Sequence, residues 1–482
     1  MSSFSGLNTA TTALWAQQRG LDVTGQNIAN VNTPGYSRQR AELQSIGGNA
    51  VPAMYAISNQ VGQGVDADKV IRIRDGFLES RAQIESASTA RMTAQDATLA
   101  QIEQAFREPG ETGIQAKLTA VFTAWGDVAN HPTEDGARTA VLQKTATLVA
   151  ELHTTSSNLD KQWTQTRDSL DTLAQDVNAK SQSIADLNRA IKRATQAGLP
   201  VNELADKRDG LVKELATAIG ATSSPGDDGQ VDVSVAGAML VSGVSAIGIR
   251  VVGTEVPAEA TALDPSFVTD PGGTRLALGG TAGGALTALS QTIPRYQQKL
   301  DAVAQQLADQ VNAVHTGPGA YDKTGAPGGP MFGSGTVPAV PVTAANITLL
   351  ITDPTKLAAA SMAPIPAVAG PPAVAARPSA DAGNAAKLAA MARADTGAAV
   401  AYRQLIVDLG VEASVATSNL QTQTVVAAQV DASRESVSGV NLDEEMTNML
   451  QFQHAYSAAA RMITTIDETL DVLINRTGRV GL

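Results

Sequence analysis

The chain has no cysteine among its 482 residues. Disulfides, thiolate metal sites and cysteine nucleophiles are therefore excluded. A cysteine-free chain fits a reducing cytosol. The sharper reading is export in an unfolded state, where stray thiols would cross-link on the way. Aromatic residues make up only 3%, which is low for a large globular enzyme. No run of 18 apolar residues exists. The most apolar stretch, Met362 to Ala376, contains Pro364, Pro366, Pro371 and Pro372 and cannot be a spanning helix. The first basic residue is Arg19, so no positively charged leader is visible. A soluble chain is expected, and one that leaves the cell would use a route that reads no cleavable signal. No segment is strongly basic and the net charge is -12, which disfavours nucleic acid and anionic membranes as partners.

What is present is apolar spacing by sevens. Near the C-terminus Leu442, Met449, Tyr456, Ile463 and Leu470 recur every seventh residue, and Phe452, Ala459, Ile466 and Leu473 follow three places later. Near the N-terminus Leu7, Leu14, Leu21 and Ile28 repeat the pattern. Such spacing puts a narrow apolar stripe on each helix, and a stripe needs a partner. Seams at both chain ends point to pairing of the ends with each other, with copies, or with both. Self-assembly therefore ranks ahead of catalysis.

Between the ends the pattern is largely helical. Helices are predicted over about Ser5 to Val31, Asp75 to Phe106, Ile114 to Asn130 and Asn202 to Ile219. The strongest coiled-coil signal runs from Val149 through Leu159, Trp163, Leu170, Val177 and Ile184 to Ile191, roughly 65 Å of helix. Helix returns near Ala285, where Pro294 starts or kinks it, and again from about Asp381 to the end, with a break at Ser438-Gly439. Short strands are expected within Arg38 to Ile73, around Val231 to Val235, over Ala246 to Val252 and at Ile347 to Ile351. Residues 362–380 are low-complexity. The last helix has its own start signal: Asn441 as cap with Glu444 three residues on, and acidic Asp443 to Glu445 in the first turn. Arg476 and Gly478 suit its end.

The fold class expected is mainly α: a long coiled-coil bundle with paired N- and C-terminal helices and one or two small β-rich inserted domains. Residues 1–40 and 438–482 form a terminal assembly domain. Residues 41–220, 282–317 and 395–437 form a helical rod, 221–281 a β-rich insert, and 318–394 a Gly/Pro/Ala-rich excursion with some strand.

Chemical motifs are scarce. The histidines His131, His153, His315 and His454 have no second ligand at metal-site spacing. There is no nucleophile elbow and no Walker loop, and Gly317-Pro318-Gly319 lacks the third glycine of a dinucleotide fingerprint. Asp227, Asp228 and Asp232 could hold calcium but read more simply as an acidic turn. Trp15 and Trp163 read as packing residues. No enzyme activity and no cofactor are expected.

One stretch is more specific. Asn27 to Tyr36 contains Asn30, Thr33, Pro34, Gly35 and Tyr36, and Pro34 and Gly35 fit the centre of a type II turn. This stretch resembles the N-terminal signature of bacterial flagellar axial proteins, the family of rod, hook and hook-associated subunits. Ser438 to Glu445, continuing through Gln453, Tyr456, Ala460 and Asp467, is similar to the C-terminal signature of its hook-associated members. The resemblance implies a structural subunit that joins hook to filament and is needed for filament assembly. It implies export through the flagellar type III pathway and a place at the distal end of the hook, outside the cell. The implied partners are copies of the chain in a ring, the hook protein, a second hook-associated junction protein, and a cytosolic export chaperone on the C-terminal helix. Alternatives are another axial subunit such as the hook protein, an adhesin or enzyme domain within 221–400 carried on an axial scaffold, or a cytosolic coiled-coil signalling protein. The long helix from Val149 to Ile191 argues against the hook protein, and the turn at Thr33 to Tyr36 against a signalling protein.

Overall fold

A computed structural model describes residues 3–47, 62–259, 261, 264–336, 338–363 and 380–476. The fold is mainly α, with long helices toward both ends of the chain and small sheets between them. Most of the low-complexity stretch 362–380, and Gly478, lie outside the described residues.

The elements follow in chain order. Helix α1 is Ser3–Ala29, and strands β1 (Gln39–Ile46) and β2 (Gly64–Arg72) form an antiparallel hairpin. Helices α2 (Gly76–Phe106), α3 (Ile114–Asn130), α4 (Asp135–Gln196) and α5 (Asn202–Ile219) come next. Strands β3 (Thr222–Pro225), β4 (Val231–Val235), β5 (Ala238–Ser242) and β6 (Ser245–Ala246) make one antiparallel meander. Strands β7 (Gly248–Val252), β8 (Ser266–Asp270) and β9 (Arg275–Leu276) make a second sheet. Then come α6 (Gly280–Thr287), α7 (Ile293–His315), the two-residue strands β10 (Phe332–Gly333) and β11 (Thr348–Leu349), α8 (Gly383–Ala390), α9 (Ala398–Ser438) and α10 (Leu442–Asp471).

The chain divides into two compact units. The first holds residues 1–88, 177–248 and 423–482, and the second holds 89–176 and 249–422. Helices α2, α4 and α9 give residues to both. The long seam of α4 is its buried side: Leu152, Leu159, Trp163, Leu170, Val177, Ile184 and Ile191 are all essentially inaccessible.

In the first unit α5 ends at Gly220, which takes the left-handed conformation with φ 74° that only glycine adopts without strain. Asn188 of α4 then anchors the four-stranded meander. Its amide donates to the carbonyls of Val231 and Gly243, both at 2.7 Å, and its Oδ1 accepts from the Val231 N–H at 3.1 Å.

In the second unit the core is aromatic where the sequence allows it. Phe106 meets Tyr296 edge-on at 6.5 Å and Tyr402 at 6.3 Å. Pro294 does not kink α7; it sits in the first turn, after a π-helical turn over Ala288–Thr292. The Leu289 carbonyl in that turn accepts from the Trp163 indole at 2.9 Å, so Trp163 is a hydrogen-bonded core residue.

His315, at the end of α7, is fully buried with its ring edge-on to Trp125 at 6.4 Å. Nε2 accepts from the Ala358 N–H at 2.8 Å, so the proton sits on Nδ1, which donates to the Gly329 carbonyl at 2.6 Å. Burial lowers the pKa of this neutral ring, more than the Gly329 carbonyl and Asp322 raise it. The unfolded chain therefore binds the proton more readily. Stability from this site is full above about pH 6.5 and is lost as pH falls from there through the folded value. The near-ultraviolet melting temperature of the chain is expected to drop between pH 7 and pH 5, and His315→Gln to flatten that slope. Equal slopes in the two proteins would remove His315 as the cause.

Candidate assembly site

Helices α1 and α10 lie side by side, antiparallel, in the first unit. The register can be read from three contacts. A Cβ added to Gly6 would touch the Ile466 side chain, one added to Gly20 would run into the Phe452 ring, and Asn27 bonds Glu445. The residue numbers in each pair share one constant sum, as an unbroken antiparallel register requires. It also places Ala13 opposite Ala459.

The α1 side of the seam is made of small residues. Gly6, Ala13, Gly20 and Asn27 follow each other by sevens, with Ala10, Ala16 and Val23 buried beside them. The α10 side carries Glu445, Phe452, Ala459 and Ile466 at the same interval. Gly20 is the tightest point, since a Cβ there would lie 2.6 Å from the Phe452 ring.

The ladder Leu7, Leu14, Leu21 and Ile28 stands one residue further on and is half-buried along the flank. On α10, Met449, Phe452, Tyr456, Ile463, Ile466 and Leu470 are half-buried. Leu442 and Leu473 are exposed, at 44% and 53%. Beyond these, Met446 (59%), Leu450 (55%), Met462 (50%) and Ile474 (73%) project from the same helical segment, and Trp15 (65%) projects from α1.

At the top of the seam sits a polar lock. Glu445 is 2% exposed. Its Oε2 accepts from the Asn27 amide at 2.9 Å and its Oε1 from the Arg38 guanidinium at 2.7 Å. Arg38 also reaches Glu444 at 2.7 Å, and its backbone N–H donates to the Ser438 carbonyl at 2.8 Å. Asn27 further donates to the Gln39 carbonyl at 2.9 Å, while its Oδ1 accepts from the Gln39 N–H at 3.0 Å and the Tyr36 hydroxyl at 2.8 Å. Burial, then Asp206, Glu445 and Glu203, push the Tyr36 pKa up to about 12. The hydroxyl thus stays a donor. The lock ties the end of α1, the start of β1, the end of α9 and the start of α10 to one carboxylate.

The turn takes the geometry its residues suggest. Tyr36 N–H donates to the Thr33 carbonyl at 3.2 Å, with Gly35 at φ 80°. Asn30 sits just before it: its carbonyl accepts from the Thr33 N–H at 2.9 Å and its Oδ1 from the Thr33 hydroxyl at 3.1 Å. Thr33, Pro34 and Gly35 are exposed and rim a groove of about 470 Å³ against Glu203, Lys207 and Leu211 of α5. The next residue, Ser37, donates its N–H to Asp206 at 3.2 Å, and Arg72 holds Asp206 and Asp209 at 2.8 Å each. Asn441 caps α10, accepting from the N–H of Asp443 at 2.9 Å and Glu444 at 3.4 Å. Glu444 itself turns to Arg38 and not back to the cap.

No helix among the described residues is long and apolar enough to cross a membrane, and no group of three His, Cys, Asp or Glu there could hold a metal ion. The acidic turn at Asp227 and Asp228 pairs Asp228 with Gln196 at 3.1 Å.

Comparison with known proteins fits this layout segment by segment. The flagella basal body rod protein model matches residues 7–36, which hold α1 and the turn. The flagellar hook-associated protein FlgK helical domain matches 99–332, and the flagellar basal body rod FlgEFG C-terminal model matches 433–476. The Bacillus subtilis flagellar hook-associated protein 1 is 30% identical, over 100% of this chain and 99% of that protein. The chain belongs to the flagellar hook-associated protein 1 family. Its Escherichia coli relative is 25% identical over 97% of this chain and 99% of its own length. The solved flagellar hook junction protein FlgK of Burkholderia pseudomallei has the same fold, with a TM-score of 0.60, 17% identity, and coverage of 74% of this chain and 100% of that one.

Within this family member, the turn follows its residue types, the seam of α1 runs one residue before the ladder Leu7, Leu14, Leu21 and Ile28, and sequence reasoning missed the lock. Asn27, Arg38 and Glu445 were never brought together from sequence. A signal did exist: Glu445 is a charged residue on the heptad of Phe452, Ala459 and Ile466, and such a residue must be paired.

The seam makes a sharp prediction. Gly20→Leu should destabilise the α1–α10 pair by about 1–3 kcal/mol through overpacking against Phe452. Gly25→Leu, where an added Cβ meets nothing within 4 Å, should be neutral or slightly stabilising. Hydrogen exchange of α1 and α10 amides measures both. Equal effects at the two glycines would contradict the register.

Proposed function

We infer that this chain is a structural subunit of the bacterial flagellum that joins the hook to the filament. The observation that carries the reading is what the terminal pair leaves uncovered. After α1 and α10 have packed on each other, Leu442, Met446, Leu450, Met462, Leu473 and Ile474 remain exposed on one helical segment. Fully burying an exposed side chain of this size is worth roughly 1.5–3 kcal/mol, and these are still 44–73% exposed. An exposed ion pair adds at most about 1 kcal/mol. Assembly through the chain ends is therefore driven by these apolar side chains, with the seam and the lock holding the helices that present them.

Several finer points belong to this reading. The terminal pair docks with copies of the chain in a ring at the distal end of the hook. Its neighbours are the hook protein on one side and a second hook-associated junction protein on the other. The ladder residues Leu7, Leu14, Leu21, Ile28, Leu442, Met449, Phe452, Tyr456, Ile463, Ile466, Leu470 and Leu473 supply the interface or its internal support. The turn at Asn30, Thr33, Pro34, Gly35 and Tyr36 sets the angle at which the chain leaves α1. Before export, an export chaperone shields the exposed face of α10 in the cytosol, where six large apolar side chains would otherwise drive aggregation. Passage through a type III channel as an unfolded chain agrees with the absence of cysteine.

The test uses an exposed position, so that folding and docking separate. Leu450→Asp should leave helix content and melting unchanged, because the side chain is 55% exposed. The same variant should be missing from detached hooks, and the cells should carry no filaments. Normal filaments on cells that make only the variant would overturn the proposed role of this face.

A further inference from the structure

Three arginines in the first unit share one carboxylate. Arg72 ends β2, Arg74 lies between β2 and α2, and Arg208 lies on α5. The Arg72 Nη1 donates to Asp209 at 2.8 Å, the Arg74 Nη1 donates to it as well, and Arg208 donates from Nε at 3.1 Å and from Nη2 at 3.0 Å. A carboxylate offers about four lone-pair sites, so Asp209 is full. Asp206 accepts the second Nη1 bond of Arg72 at 2.8 Å, and Glu79 is held by Arg74 at 2.7 Å. Donors are left over: the Nε and Nη2 of Arg72 have no partner among the described residues. Burial lowers the Arg208 pKa, Asp209 raises it, and the like charges of Arg72 and Arg74 lower it again, with a net downward shift.

The three guanidiniums line one cavity of about 380 Å³. Only two carboxylates, Glu79 and Asp209, stand in its wall beside them. The cavity therefore carries an excess of positive charge in a chain whose net charge is -12. Gln230, just before β4, lines the same cavity and is only 7% exposed. Its side-chain amide has no hydrogen-bond partner among the described residues. Buried amides are ordinarily paired, so the cavity lacks a polar occupant.

We propose that this cavity binds a small tetrahedral oxyanion of the phosphate class, held by Arg72, Arg208 and Gln230. The chemistry selects it. The unmatched groups are N–H donors, so the missing partner is an acceptor. The excess charge is positive, so the acceptor is an anion, and guanidinium forks favour oxyanions. The donors come from β2, α5 and the loop before β4, three directions that a tetrahedral anion serves better than a planar carboxylate does. A phosphate leaves room for water, which takes about 30 Å³ per molecule. The bound anion ties the hairpin, α5 and the meander together and stabilises the first unit by mass action. Asn27, Arg38 and Glu445 of the lock do not line the cavity, and the inference does not depend on the chain's place in the flagellum.

The experiment titrates the full chain with inorganic phosphate against chloride at fixed ionic strength, so that general screening is constant. Calorimetry and thermal melting are the readouts. One phosphate per chain is expected, with a melting temperature that rises with phosphate concentration. Acetate is expected to bind at least about tenfold more weakly. Arg72 carries ion pairs of the fold, so the test variant is placed at Ser224, which is exposed and lines the cavity. Ser224→Asp should melt normally in chloride and lose phosphate affinity by at least about tenfold, through repulsion from its fixed carboxylate. No heat and no melting shift with phosphate would mark a self-contained ion-pair cluster and overturn the inference. Undiminished phosphate affinity in Ser224→Asp would place the anion elsewhere and overturn it too. Acetate binding as tight as phosphate would overturn the choice of a tetrahedral anion.

Discussion

The structure of the chain ends depends on one buried carboxylate. Glu445 is removed from water at the first turn of α10, and a bare charge there would cost several kcal/mol. It is tolerated because the Asn27 amide and the Arg38 guanidinium both reach it, from 418 and 407 residues away in sequence. Asn27 is itself placed by the Tyr36 hydroxyl and the Gln39 backbone, and Arg38 by its backbone bond to the Ser438 carbonyl. The requirement is mutual, so the end of α1, the turn, the hairpin and α10 must arrive together or not at all. A carboxylate used in this way adds specificity of register more than stability. A slip of one residue would leave it buried and unpaired.

Below the lock, register is fixed by shape. Small residues of α1 face larger ones of α10, with Gly20 under the Phe452 ring as the closest approach. A glycine within a helix costs about 1 kcal/mol of propensity relative to alanine. Here that cost buys room for an aromatic ring at the seam. Because α1 supplies little apolar area of its own, it depends on α10 for its helical state. The leucines of α1 that do not close the seam stay on its flank, and other large side chains of α10, Met446, Leu450 and Met462, are exposed. The pair is therefore closed to itself and open to neighbours, which is the property a repeating subunit needs.

Much of this was legible in the sequence. The helices Ile114–Asn130 and Asn202–Ile219 were read to the residue, because His131-Pro132 and Gly220 are strong stops. The buried side of α4 followed from its strict 3-4 spacing, and the type II turn at Pro34-Gly35 from its residue types. The seam of α1 was not legible in the same way. Counting apolar residues selects Leu7, Leu14, Leu21 and Ile28, whereas close packing selects the small residues one place earlier, and only Phe452 of α10 decides between them. The lock was hidden because its members are far apart in sequence and each has an ordinary local role. Strands of two residues, as at Thr348–Leu349, carry too little pattern to place by alternation.

The central claim is that α1 owes its structure to α10 through the seam and the lock. Hydrogen exchange on α1 amides tests it directly, comparing the full chain with a chain ending at Val440. The account predicts that residues 10–27 are protected in the full chain and exchange at unstructured rates in the shortened one, while the second unit, around Trp125 and Trp163, keeps its protection. Unchanged protection of α1 in the shortened chain would contradict it.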